Sequence, residues 1–135
     1  MFGHPVGGVG LVVDAPATGN LLPLLHEVRH ALARLVQDGT ISTLDLLRLP
    51  LASQELDQLR TTLGDGEVVA RLSALGESHF RETRYPGVWW VEHYNPDGVL
   101  LARSIEVTFF PALLQAQSGD VAEAAVRLAE QLAAP

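Results

Sequence analysis

Cysteine is absent from the chain. Its absence excludes a disulfide framework, a thiolate metal site, a cysteine nucleophile and a protein-ligated iron–sulfur cluster of the usual kind. It also fits a reducing compartment. Positive charge is scarce: 9 basic residues stand against 16 acidic ones, for a formal net charge of −7. Phosphate backbones and anionic lipid repel such a surface, so neither nucleic acid nor membrane is an expected partner, whereas a neutral or basic protein segment is attracted. No apolar stretch approaches the roughly 20 residues that span a bilayer. The opening MFGHPVGGVG lacks a basic region followed by a long apolar one, so no signal peptide is expected and the cytoplasm is the default location. There is no P-loop and no G-x-S-x-G, and the spacing of Ser, His and Asp matches no triad. No catalytic residue and no cofactor are therefore expected.

What is present reads as one folded domain. The 135 residues are 47% hydrophobic and 19% charged, enough to bury a core without staples. Residues 1–18 are rich in Gly, Pro and small side chains. Gly7, Gly8 and Gly10 precede a short apolar run instead of following a strand, which argues against a dinucleotide loop. This stretch is expected to be a flexible or irregular arm, with at most a short strand at Gly10–Asp14.

Residues 20–37 read as a helix, with Asn20 as N-cap, Pro23 in the first turn and Gly39 as the stop. Leu21, Leu25, Val28, Leu32, Leu35 and Val36 form the expected buried stripe. Residues 40–52 alternate apolar positions up to Pro50 and suggest a short strand or a tucked irregular segment. Ser53 is read as the cap of a helix over 54–63, with Leu56, Leu59 and Leu63 inward. Four stretches rich in Val, Trp, Tyr, Phe and Thr follow, at Glu67–Ala74, His79–Tyr85, Val88–Tyr94 and Val99–Phe109, and read as strands. Asn95-Pro96-Asp97-Gly98 is a turn between the last two. Short connections imply an antiparallel meander. A helical turn at Pro111–Gln117 and a final helix complete the chain. Asp120 and Glu123 suggest a capping box for that helix, and Val121, Ala125, Leu128, Ala129 and Leu132 its buried face. The expected fold is a single α+β domain: an approximately four-stranded antiparallel sheet in the C-terminal half, packed against flanking helices.

His26-Glu27-Val28-Arg29-His30 matches H-E-x-x-H on a predicted helix, the arrangement in which two histidines grip zinc and the glutamate activates bound water. At about 100° per residue, however, His26 and His30 lie roughly 140° and 180° from the apolar stripe. They share the polar side with Arg34 and Gln37, as on an ordinary solvated face. His79, Glu92 or His93 would have to supply a third ligand, and spacing singles out none of them. A small zinc hydrolase using His26, Glu27 and His30 is thus an alternative reading, with stoichiometric zinc as its signature.

Tyr85–Tyr94 holds both tryptophans and both tyrosines of the chain. Alternation places Trp89, Val91 and His93 on one strand face and Val88, Trp90, Glu92 and Tyr94 on the other. Either both tryptophans pack, or one is displayed beside a carboxylate or an imidazole as a contact anchor. A further alternative makes this strand the edge of a homodimer.

Several phrases together carry a resemblance. Gly19-Asn20-Leu21-Leu22-Pro23-Leu24-Leu25-His26-Glu27-Val28-Arg29-His30-Ala31-Leu32 resembles the opening helix of the HupH/HyaF-type hydrogenase expression/formation proteins. Asp45-Leu46, Leu49-Pro50-Leu51 and Leu63-Gly64-Asp65-Gly66-Glu67-Val68 are similar to their middle region. Glu82-Thr83, Pro86-Gly87-Val88-Trp89, Ile105-Glu106-Val107 and Pro111 are similar to their C-terminal region. The resemblance runs over roughly residues 19–111, although typical members are longer. It implies a non-enzymatic accessory or chaperone role in maturing an uptake-type [NiFe] hydrogenase, with the iron–sulfur small-subunit precursor, and other maturation proteins, as expected partners. The residues expected to contact a partner are His26, Glu27, His30, Glu82, Trp89, Trp90 and Glu92.

Overall fold

A computed structural model describes residues 19–135, so the expected N-terminal arm and the strand at Gly10–Asp14 lie outside the described residues. The elements run α1 (Leu21–Asp38), β1 (Ser42–Asp45), α2 (Ser53–Leu63), β2 (Val69–Ser73), β3 (Glu77–Glu82), β4 (Val88–Tyr94) and β5 (Leu100–Val107). A 3-10 turn (Ala112–Leu114) and α3 (Ser118–Ala133) follow. The sheet is antiparallel throughout, in the order β1-β5-β4-β3-β2. The expected meander is β2 to β5. The fifth strand comes from the 40–52 segment, where Ser42–Asp45 pairs with Ser104–Val107 at the sheet edge. The protein is thus an α+β domain. β4 lies at the centre of the sheet with both edges paired, which rules it out as the exposed edge of a homodimer.

Two hydrophobic clusters form, one on each face of the sheet. On the near face, Val88, Trp90, Ile105 and Val107 meet Leu24, Val28, Ala31 and Leu35 of α1 and Leu59 and Leu63 of α2. On the far face, Phe80, Trp89 and Val91 gather with Ala70, Leu72 and Leu114 around them. Gly87 makes the close approach of α1 possible. Its φ of 96° is open to glycine, and a Cβ there would meet Leu32 Cδ2 at 3.3 Å.

α1 is rotated relative to the stripe read from the sequence. Its buried residues are Leu24, Val28, Ala31 and Leu35, while Val36 is 81% exposed. The apolar arc of the helix is wider than one core contact needs. At about 100° per residue, its buried centre lies roughly 70° from the direction that Leu21, Leu25 and Leu32 suggest. The surplus is a second apolar flank of Leu22, Leu25, Leu32 and Val36, with Arg29 in its middle. Asn20 holds the N-cap position, but its side-chain amide donates to Pro50 O at 3.2 Å and makes no capping bond.

Two other caps differ from expectation. Ser53 is the first residue of α2 and Ala52 occupies the cap. The buried Glu55 carboxylate accepts the Ala52 N–H at 3.0 Å and the Gly19 N–H at 3.2 Å, which ties the helix start to the start of α1. Gln117, not Asp120, occupies the cap position of α3, and its side chain makes no capping bond. The expected buried face of α3 is not buried at all. Every residue of this helix is exposed, with Val121 at 53%, Leu128 at 58% and Leu132 at 77%. Helical periodicity reveals an apolar stripe but not which surface covers it.

Candidate functional site

A polar cleft of about 200 Å3 opens where α2 crosses the near face of the sheet, lined by Leu56, Asp57, Arg60, Arg81, Trp90, Glu92 and Arg103. Strand register builds it. Arg81 stands opposite Trp90, and Glu92 opposite Arg103. α2 then lays Arg60 over the Trp90 ring, with the guanidinium carbon 5.5 Å from the ring centroid, a cation–π contact. Arg60 is fixed from behind by Gly64 O at 2.9 Å and by the Asp65 carboxylate.

Glu92 is the hub of the cleft. It accepts from Arg103 Nε at 2.7 Å, Tyr94 OH at 3.0 Å and Trp90 Nε1 at 3.3 Å. Burial alone pushes its carboxyl up. The bonds from Arg103, Trp90 and Tyr94 and the charge of Arg103 outweigh that, and the group sits below its ordinary range. Its charge is therefore committed internally. Arg81 has no hydrogen bond or ion pair to another described residue, so the cleft presents one free guanidinium beside two engaged ones.

Of the partner-contact candidates, Trp90 and Glu92 meet in this cleft, with Trp90 only 5% exposed. Trp89 is buried in the far-face cluster. Its indole N–H donates to Thr108 O at 3.1 Å and its ring packs edge-on against Phe110. Neither tryptophan is displayed as a surface anchor. Glu82 is half-buried and structural: its Oε1 accepts the Glu67 N–H at 3.1 Å and its backbone O accepts from Gly66. His26, Glu27 and His30 form a separate set, all exposed on the outer face of α1. Arg60, Arg81 and Arg103 were not singled out from the sequence. Regular strand pairing gives no signal for Arg103, because it reaches Glu92 only through the register shift at His93/Tyr94.

The geometry of His26-Glu27-x-x-His30 is that of a solvated helix face. The two imidazoles lie 6.5 Å apart, and the Arg29 guanidinium bonds His26 Nδ1 at 3.3 Å and His30 Nε2 at 3.1 Å. A guanidinium held on both rings opposes a dication there. Among the described residues, no group of three His, Cys, Asp or Glu side chains stands close enough to hold a metal. Ser78 Oγ and His93 Nδ1 are 2.7 Å apart as cross-strand neighbours. Burial lowers the His93 pKa, and no carboxylate among the described residues orients its ring.

These features define a two-layer α+β domain that offers clefts and helix faces for binding, with Glu92, Arg103 and Arg60 tied into the fold. The family described as "HupH hydrogenase expression protein, C-terminal conserved region" matches residues 18–134, and the chain belongs to it. It is 32% identical over 123 residues to the hydrogenase expression/formation protein HupH of Rhodobacter capsulatus, covering 91% of this chain and 42% of that protein. It is 29% identical over 113 residues to the hydrogenase expression/formation protein HoxQ of Azotobacter vinelandii, covering 82% of this chain and 40% of that one. The chain thus spans well under half the length of these curated relatives. A solved structure of hydrogenase expression protein HupH from Thiobacillus denitrificans is 42% identical, with a TM-score of 0.83, covering 87% of this chain and 98% of that one. No described helix is long and apolar enough to cross a membrane.

Proposed function

We propose that this chain is an accessory binding module in the maturation of an uptake-type [NiFe] hydrogenase, holding the immature iron–sulfur small subunit in the cytoplasm and performing no chemistry of its own. The observation that carries this reading is the family match over residues 18–134, in a domain whose central carboxylate, Glu92, is bound by Arg103, Trp90 and Tyr94. A carboxylate so engaged is a framework element and not an acid–base group awaiting substrate. The names of the relatives place them in hydrogenase expression and formation.

Two surfaces serve the contact. The outer face of α1 presents His26, Glu27 and His30 to solvent. The cleft floored by Trp90 and Glu92 offers Arg81 to a carboxylate of the client. The net charge of −7 draws a basic segment such as a twin-arginine export signal by long-range attraction.

A tagged pull-down from cells expressing the native hydrogenase operon tests the proposal. Recovery of the small subunit with its export signal attached is the expected result, reduced by Glu27→Lys and by Arg81→Glu. Failure to recover it from cells shown to be making that subunit refutes the reading.

A further inference from the structure

The geometry points to an extended protein segment bearing one carboxylate as the ligand of the near face. The carboxylate seats between Arg81 and Arg103 in the cleft, and the rest of the segment runs across His79 and Tyr94 into a second pocket. This deepens the reading of the chain as a client-binding module and rests on it.

The donors in the cleft are unequal. Arg60 is spent on Gly64 O, the Asp65 carboxylate and the Trp90 ring. Arg103 gives Glu92 only its Nε, and its two terminal nitrogens bond no other described residue. Arg81 is exposed and bonds none. β4 lies between β3 and β5, so Arg81 and Arg103 reach the cleft from opposite sides of Trp90 and Glu92. A carboxylate has two oxygens to offer two such planar donors.

Charge selects a monoanion. Glu92 answers Arg103 and Asp65 answers Arg60, which leaves Arg81 as the one uncommitted guanidinium among those lining the cleft. One guanidinium matches one negative charge. A phosphate dianion brings a second, set against Asp57 and Glu92 on the same walls.

The surface beyond the cleft selects a segment over a small acid. His79 stands opposite Glu92 in the strand register, and Tyr94 OH donates to Glu92 at 3.0 Å. The His79 and Tyr94 rings lie 5.1 Å apart. With Glu77 and Asn95 they wall a pocket of about 310 Å3. Glu92 and its two neighbours therefore join the cleft to this pocket along one sheet face. From Trp90 to Tyr94 the strand advances about 13 Å, the length of some four extended residues. A free small carboxylate fills the cleft and leaves the pocket empty, whereas a short extended segment uses both. The net charge of −7 repels an acidic ligand at long range, but at about 0.15 M salt the screening length is about 8 Å, so the local donors decide the contact.

Nitrogen-15 NMR of the intact chain tests the assignment, because its two tryptophans supply a signal and a control. The Trp90 indole N–H donates to Glu92 in the cleft, while that of Trp89 donates to Thr108 O on the far face. The probes are acetyl-Asp-Ala-Ala-Ala-amide, acetyl-Ala-Ala-Ala-Asp-amide and acetyl-tetra-alanine with a free terminal carboxylate. They cover both chain directions and separate a side-chain carboxylate from a terminal one. At least one should shift the Trp90 indole, the Arg81 Nε–H and the His79 and Tyr94 amides, and leave the Trp89 indole in place. Acetyl-tetra-alanine-amide, which has no carboxylate, should bind about 10-fold more weakly, and Arg81→Gln should weaken the acidic probe by a similar factor. Arg84→Gln, at an arginine that does not line the cleft, should bind as wild type. An unmoved Trp90 indole overturns the proposal, as does equal binding of the amidated tetra-alanine. Acetate that matches the peptides overturns the extended segment, and tighter binding of inorganic phosphate overturns the carboxylate. The pull-down is read separately. Small subunit recovered undiminished by Arg81→Gln overturns this use of the cleft and leaves the accessory role standing. Peptide binding as expected, with no small subunit recovered, upholds the ligand class and refutes that role alone.

Discussion

Glu92→Gln is the substitution that most directly interrogates the cleft. The amide is isosteric and keeps an oxygen acceptor, so the change removes charge while leaving volume intact. In the native chain the Glu92 and Arg103 side chains are 20% and 23% exposed and their charged atoms are 2.7 Å apart. Exposed pairs contribute about 0–1 kcal/mol and fully buried pairs lose about 3–5 kcal/mol when one partner is removed. A pair at this depth falls between, at about 1–2 kcal/mol, or roughly 4–8 °C in Tm for a chain of this size. The sign with pH follows from the depressed carboxyl of Glu92. A group whose folded pKa lies below its unfolded value contributes stability that is complete above about pH 4.3 and is lost as pH falls through the folded pKa. Urea unfolding near neutral pH should therefore separate wild type from Glu92→Gln, and the gap should close as pH falls below about 4. Trp90 fluorescence gives a second readout, because its indole donates to the same carboxylate. An equal gap at neutral and acid pH, or none at neutral pH, would refute the charge network as the source of stability.

Other substitutions act on the core, the buried carboxylate and the tight turn. Leu59→Ala empties a fully buried position between α2 and the sheet and should cost about 2–5 kcal/mol, read as a fall in the urea midpoint. Burial raises the Glu106 pKa, so its ionised form opposes folding above the unfolded carboxyl pKa. Glu106→Gln should therefore raise Tm near pH 7 and have little effect below about pH 4. A Cβ at Gly76 would stand 2.1 Å from Tyr94 O, so Gly76→Ala should lower Tm by displacing the β2–β3 turn from β4, whereas alanine at the uncrowded Gly119 should not. Equilibrium dialysis against zinc should find no stoichiometric site lost in the double substitution of His26 and His30 by alanine, because Arg29 bridges the two rings.

Much of the fold is legible in the residues because its signals are local. Asn95-Pro96-Asp97-Gly98 turns as it reads: Asn95 Oδ1 accepts from the Asp97 and Val99 N–H groups, and Gly98 takes φ 82°. Val88–Tyr94 is a strand residue for residue. What is not legible depends on partners distant in sequence. β1 is a strand because β5 lies beside it, with Leu44 opposite Ile105. Ser53 resembles a better cap than Ala52, yet Glu55 supplies the acceptor and places the helix boundary. The cleft was half visible. Trp90 and Glu92 share a face by alternation, but Arg103 reaches Glu92 only through an irregularity at His93/Tyr94 that shifts the pairing. Counting back from the turn, where Tyr94 pairs with Leu100, would set Ala102 opposite Glu92 and direct Arg103 to the other face.

The two misread helices share one physical cause. A hydrophobic stripe states that something must cover it and is silent on what does. In α1 the apolar arc serves two purposes: Leu24, Val28, Ala31 and Leu35 build the core, while Leu22 and Val36 remain outside. In α3 the whole stripe is left over. A core-forming interpretation assigns every apolar residue to the interior of its own chain, so it rotates α1 toward the average of its two faces and buries α3 where nothing waits. Both errors vanish if the surplus surfaces are binding surfaces. The residues that periodicity places wrongly are then the ones whose partners lie outside the chain.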